Sequence, residues 1–174
     1  YGIYIYFVDS VEVSGNIITG DHNGTGISIW LCRPAIVTGN KVVPATANSV
    51  DEGIFLYDAD GNSTNERTLV ANNMVNAEYK GIEISASSYI DIYYNTIITN
   101  MNNNYWSVFK FSNSNNLTIK NNIFTNTASN GRLINIGYSA SNFDIDYNLY
   151  YGGSSSYGFY SQSTPSVNGN FSAW

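Results

Sequence analysis

At 174 residues the chain is the size of one domain, with 43% hydrophobic residues to fill a continuous core and only 11% charged, well below the usual quarter. A net charge of -6 and a pI near 4.4, with seven Lys and Arg scattered along the chain, exclude a nucleic-acid partner, because phosphate binding needs clustered cations. Cys32 stands alone, which excludes an internal disulfide, and no apolar run approaches the ~18 to 20 residues of a membrane-spanning helix.

Gly2-Ile3 opens an alternating segment, and equivalent pairs follow at Gly26-Ile27, Gly53-Ile54, Gly81-Ile82, Val108-Phe109 and Leu133-Ile134. Their spacings are 24, 27, 28, 27 and 25 residues. Strand-type alternation repeated at a period in the twenties predicts a β-solenoid, whose coils stack at the ~4.8 Å strand spacing. No segment shows a helical 3.6 period. One domain over 1–174 is expected, with coils starting near 2, 26, 53, 81, 108 and 133 and a last partial coil at 159–174.

The clearest coil is 81–98, where Ile82 and Ile84, then Ile90 and Ile92, then Asn95 and Ile97 mark three short strands separated by two turns. Alternation assigns the inward residues. The first strands supply Ile3 and Ile5, Ile27 and Ile29, Ile54 and Leu56, Ile82 and Ile84, Phe109 and Phe111, Ile134 and Ile136. The second supply Val11 and Val13, Ala35 and Val37, Thr68 and Val70, Ile90 and Ile92, Leu117 and Ile119, Phe143 and Ile145. Three residues further on stands an asparagine in every coil: Asn16, Asn40, Asn73, Asn95, Asn122 and Asn148. Asn tolerates the left-handed backbone of a tight turn, and stacked amides can hydrogen-bond from coil to coil as a ladder. Two residues later Ile18, Val42, Val75, Ile97, Phe124 and Tyr150 supply a third sheet.

With this frame, the Ile-x-Ile-x-x-Asn-x-Ile second half and the asparagine ladder, residues 2 to about 150 resemble the right-handed parallel β-helix proteins of the pectate-lyase-like type. The resemblance implies an all-β, single-stranded solenoid of three sheets. More narrowly, Tyr93-Tyr94-Asn95-Thr96-Ile97, Asn121-Asn122-Ile123-Phe124-Thr125-Asn126 and Asp146-Tyr147-Asn148-Leu149-Tyr150-Tyr151 are similar to repeats of large bacterial exported or cell-surface proteins. Many of those carry a type IX secretion signal far downstream, and a phrase like Phe171-Ser172-Ala173-Trp174 leads into a further coil in them. The chain opens at Tyr1-Gly2 directly in a coil with no capping element, so the expectation is a segment of a longer solenoid.

Function on a solenoid sits in its loops or on one outer face. Coil three carries about six extra residues, and there Asp58, Asp60, Asn62 and Glu66 place hard oxygens at intervals. Two readings are open: a calcium site, although the spacing is not an EF-hand, or a solvated turn built on Asp-Gly and Asn-Ser chemistry. The outer face of the first sheet reads Tyr4, Ser28, Phe55, Glu83, Lys110, Asn135 in one column and Tyr6, Trp30, Tyr57, Ser85, Ser112, Gly137 beside it. Tyr4, Tyr6, Trp30, Phe55 and Tyr57 fall together over three coils, as a platform for sugar rings, a contact for an adjoining domain, or ordinary sheet-surface chemistry. In the lyases that the chain resembles, the polysaccharide lies along this sheet.

Glu83 and Lys110 on adjacent coils are the candidate base and cation of a lyase, or else a cross-strand ion pair, as are Glu52 and Lys80. Arg33 and Arg132 are expected near the sheet's borders without a carboxylate cluster around them. The family's set of calcium carboxylates with an Arg or Lys has no residue-by-residue match here. His22 is the only histidine, which excludes a catalytic triad or a multi-histidine metal site within this segment, and it is expected in an exposed turn. Cys32 reads as a small filler, and the Asn-x-Ser/Thr matches at Asn23, Asn62, Asn116 and Asn170 are expected by chance in so Asn-rich a chain. Two functions remain in view. One is a non-catalytic rod of an exported or cell-surface protein that binds polysaccharide or neighbouring domains on its aromatic face. The other is part of a β-helix polysaccharide lyase or glycoside hydrolase. No cofactor is called for beyond the calcium alternative.

Overall fold

The computed structural model describes residues 1–20, 22–44, 50–103, 105–152 and 158–162, with the side chains of His22 and Asn23 left aside. Coil one contributes strands β1 (Ile3–Tyr6), β2 (Asp9–Ser14) and β3 (Ile17–Gly20), and coil two β4 (His22–Trp30), β5 (Arg33–Thr38) and β6 (Lys41–Pro44). Coil three has β7 (Val50–Tyr57), β8 (Thr68–Ala71) and β9 (Met74–Ala77), and coil four β10 (Lys80–Ser85), β11 (Ser88–Tyr93) and β12 (Thr96–Thr99). Coil five has β13 (Ser107–Ser112), β14 (Asn115–Lys120) and β15 (Ile123–Asn126), and coil six β16 (Arg132–Ile136), β17 (Ser141–Asp146) and β18 (Leu149–Gly152). A further strand, β19 (Phe159–Ser161), pairs with β16 and starts the expected last coil, the rest of which lies outside the described residues.

The strands form three parallel sheets of seven, six and six strands, each strand hydrogen-bonded to its counterparts one coil away. The register follows the sequence frame: Ile3, Ile27, Ile54, Ile82, Phe109, Ile134 and Phe159 form one continuous column. The third-sheet column Ile18, Val42, Val75, Ile97, Phe124, Tyr150 is equally continuous. Ile27, Ile54, Ile82, Phe109 and Ile134 are fully buried, whereas Ile3 and Ile5 of the first coil are only partly covered. A coil gains its full burial only between two neighbours. Phe143 pairs with Leu117 in the second sheet as expected yet is 37% exposed, its ring still edge-on to Phe111 at 5.2 Å.

The Gly-Ile frame has a steric cause. Gly26, Gly53 and Gly81 lie within β4, β7 and β10 of the first sheet, and an added Cβ would come within 2.3, 2.1 and 2.0 Å of Val42, Val75 and Ile97 of the third sheet. In these three coils the backbone lies directly on those core side chains and leaves no room for a Cβ, whereas Val108 and Leu133 take the equivalent place in coils five and six.

The asparagine ladder is present, but the turn logic differs from expectation. The left-handed residue is the one before each ladder Asn: Gly15, Gly39, Asn72, Tyr94, Asn121 and Tyr147, with φ between 55° and 66°. The ladder residue instead accepts with Oδ1 from the backbone N–H and Nδ2 of the preceding coil's Asn, and donates its own Nδ2 back to a carbonyl, as Asn95 does to Val70 O at 2.9 Å. A matching device occupies the turn between sheets one and two. There Ser87 and Ser114 donate to Ser85 O and Ser112 O at 2.8 and 2.7 Å, and accept from Ala59 N–H and Ser87 N–H. Cys32 fills the corresponding place in coil two, its Sγ donating to Trp30 O at 3.2 Å, which fits the reading of a buried small filler.

Candidate binding face on the first sheet

Parallel pairing brings the outer columns of the first sheet together as expected, with Tyr4 beside Ser28, Ser28 beside Phe55, Phe55 beside Glu83, Glu83 beside Lys110 and Lys110 beside Asn135. Tyr6, Trp30, Tyr57, Ser85 and Ser112 align next to them. The face divides into an aromatic half over coils one to three and an ionic half over coils two to five, partly on a parallel column.

In the aromatic half Tyr4 and Tyr6 are 48% and 54% exposed, with rings nearly parallel at 13° and 6.5 Å apart. Trp30 meets Tyr57 at 4.6 Å and Phe55 edge-on at 5.6 Å, and its Nε1–H donates to Ser28 Oγ at 2.9 Å. The evenly stacked column that strand spacing suggests is replaced by two ring groups, a near-parallel Tyr4–Tyr6 pair and a tilted Trp30–Phe55–Tyr57 group. Ring quadrupoles favour offset and edge-on contacts over face-to-face stacks. Tyr1 and Phe7, both exposed, extend the cluster at 4.9 Å from Tyr4 and 6.2 Å from Tyr6.

The ionic half is a relay of paired charges. Thr25 Oγ1 donates to Glu52 Oε2 at 3.2 Å, Lys80 bridges Glu52 and Glu83, and Lys110 Nζ reaches Glu83 Oε1 at 2.7 Å. Glu83 is only 6% exposed. Burial disfavours its charge, but Lys80 and Lys110 outweigh burial and hold its pKa below the ordinary value. For Lys80 burial also opposes the charge, and the Glu83 and Glu52 carboxylates outweigh it, so its pKa is raised. Trp106 covers this cation at 4.8 Å and packs on Tyr79 at 5.8 Å. Sequence analysis did not single out Trp106 or Tyr79, although their separation of 27 residues matches a coil period and could have revealed them. Asn135, next in the column, is buried, and its Oδ1 has no hydrogen-bond partner among the described residues.

Arg33 corrects another expectation. Rather than standing apart from carboxylates, it pairs with Asp58 and lies 3.5 Å from Asp60 across one coil. The hydrogen bond to Asp58 is the largest influence raising the Arg33 pKa. Burial pushes Asp60 up, partly offset by the Ser88 N–H that it accepts at 2.5 Å. Asn62 turns its Nδ2 toward Glu66 at 2.9 Å, so this loop brings Asp58 and Asp60 around a cation of the protein itself and leaves Asn62 and Glu66 as a separate pair. The long Arg67 side chain, which sequence reasoning passed over, is a clamp. It donates to Asp91 Oδ1 at 2.8 Å and to Asn116 O at 2.8 Å, and so ties coils three, four and five together. Arg132 at the sheet border lies over the Tyr160 ring at 3.6 Å. The backbone of His22 opens β4 rather than forming a turn.

Three parallel sheets, an internal amide ladder and one outer face carrying clustered rings and charges define a parallel β-helix repeat protein. The chain belongs to the family described as periplasmic copper-binding protein (NosD), which matches over residues 1–110. Among solved structures it is similar to the crystal structure of a double mutant of the periplasmic alginate epimerase AlgG, with a TM-score of 0.56 and 14% identity over 92% of this chain. At that identity the likeness is one of fold, and the chain spans 43% of the epimerase's length. No curated protein matches the chain.

The family description names copper, and the described donors do not fit it. Copper sites draw on imidazole, thiolate and thioether ligands gathered around one point. Here Cys32 is buried with its Sγ turned to a carbonyl, Met74 is exposed on the third sheet, and no three His, Cys, Asp or Glu side chains cluster among the described residues.

Proposed function

We propose that this chain is a non-catalytic β-helix segment of an exported protein that holds a polysaccharide along the aromatic half of its first sheet. The observation that carries this reading is the cluster of Tyr4, Tyr6, Trp30, Phe55 and Tyr57 on one outer face, with Tyr4 and Tyr6 about half exposed. Aromatic faces bury the apolar faces of sugar rings, while tyrosine hydroxyls meet sugar hydroxyls. The family description and the epimerase both carry the word periplasmic, which supports export, and the epimerase's name concerns a polysaccharide on the same fold.

The ionic half supports binding over catalysis. A general base needs a pKa near the working pH and a free lone pair, whereas Glu83 is held ionised at a depressed pKa with one oxygen on each lysine. A lyase built on Glu83 and Lys110 would first have to break that pair. The test is titration with soluble polysaccharides, following Trp30 emission in the wild type and in Trp30→Ala to separate it from the other tryptophans. Saturable change in the wild type alone supports the reading, and release of unsaturated, ultraviolet-absorbing ends would replace it with the lyase.

A further inference from the structure

Resting on the reading of this face as a polysaccharide site, we infer that its ligand is a neutral glycan and not a uronate-bearing one. A chain of uronates carries one carboxylate per sugar and is held by cations that can turn to it. On this face both lysines already have carboxylate partners. Lys80 sits between Glu52 and Glu83, and Lys110 is on Glu83, so the relay of two lysines and two glutamates is balanced. Lys80 is further covered by Trp106, and the Arg132 guanidinium lies against the Tyr160 ring. A uronate arriving here would have to displace Glu52 or Glu83, leaving a buried carboxylate without its cation, which is strongly unfavourable. It would also approach a protein of net charge -6.

The aromatic half asks for a different ligand. Its rings offer apolar area and its edges offer the hydroxyls of Tyr4, Tyr6 and Tyr57, groups that match sugar hydroxyls and bring no positive charge. The ligand is therefore bound by ring contact and neutral hydrogen bonds, and its affinity is insensitive to salt.

The experiment uses the full chain with two sets of oligosaccharides of equal length, β-linked neutral hexoses or pentoses and oligouronates, each titrated at low and at physiological ionic strength. Neutral oligosaccharides are expected to saturate with the same affinity at both salts, and oligouronates to bind at least about tenfold more weakly. Glu83→Gln, which releases Lys110, is expected to gain salt-sensitive oligouronate binding. Wild-type oligouronate binding that equals or exceeds neutral binding and weakens with salt overturns the inference while leaving the polysaccharide reading in place. If neither set binds, the polysaccharide reading itself is rejected and the inference falls with it.

Discussion

Asn95 donates from both its backbone N–H and its Nδ2 to Oδ1 of Asn122, each at 2.9 Å, and so passes on to coil five the same pair of hydrogen bonds that Asn73 makes to Asn95. Each ladder amide is thus acceptor for one coil and donor to the next. Asn95→Ala leaves Asn73 N–H and one Nδ2 hydrogen without their acceptor, while Nδ2 keeps its bond to Val37 O. A loss of roughly 1 to 3 kcal/mol is expected, the cost of unmet buried polar groups. Asn148→Ala, at a partly exposed end of the ladder, is expected to cost less. Thermal melts of both variants check this, and equal, negligible shifts would contradict the role given to the ladder.

Glu83 predicts an acid limb of stability. Its folded pKa is depressed below the ordinary 4.5, so its contribution is complete above that value and is lost as pH falls through the lower folded one. Lys80 works in the opposite sense: its folded pKa lies above 10.5, so its contribution is complete below that value and fades as pH rises through the folded one. Glu83→Gln is expected to lose about 3 kcal/mol at neutral pH, because one buried partner is removed from its cations, and to flatten the acid limb. Denaturant unfolding across the acid range measures both effects, and an unchanged acid slope in the variant would remove Glu83 from this role.

Trp30→Ala should keep the fold, because Trp30 lies on the outer face beside Tyr6 and Tyr57. Polysaccharide affinity should fall by roughly 1 to 3 kcal/mol, the range for lost aromatic area. Calorimetric titration checks the affinity and circular dichroism the fold. Unchanged affinity would show that the rings are surface sheet chemistry alone.

Gly81→Ala tests the steric reason for the glycine frame. The new Cβ would meet Ile97 Cγ2 at 2.0 Å and Val108 O at 2.5 Å, one a core side chain and the other a backbone atom of the neighbouring coil. Overpacking of this kind costs typically 1 to 3 kcal/mol or more. A melting midpoint equal to wild type would mean that the coil interface gives way more easily than these distances imply.

Calcium and copper are each expected to leave the melting midpoint unchanged, and a chelator likewise. The carboxylates of Asp58 and Asp60 are engaged by Arg33, and Asn62 points its amide nitrogen at Glu66. A ligand that binds the folded state shifts the midpoint in proportion to the logarithm of its concentration over Kd, so even modest affinity would be visible in a metal series.

Much of this protein is legible in its sequence because a solenoid turns a local pattern into a global one. Alternation at period two fixes which residues face inward, and a repeat of 24 to 28 residues sets each of them beside its equivalent in the next coil. The columns from Ile3 to Ile134 and from Asn16 to Asn148 follow from those two facts alone. The outer columns that carry the candidate site follow in the same way, down to Glu83 beside Lys110. Only the tertiary structure decided what leaves the columns. Arg33 reaches Asp58 and Asp60, Lys80 spans two glutamates under Trp106, and the Trp30 ring tilts onto Tyr57 while its N–H takes Ser28. The left-handed turn residues precede the ladder asparagines because the ladder amide needs its own backbone N–H aimed along the stack. Backbone register is set by a period that can be counted, whereas a long side chain takes whichever neighbour its rotamers can reach. That choice depends on the lateral geometry of adjacent coils, which no spacing along the chain records.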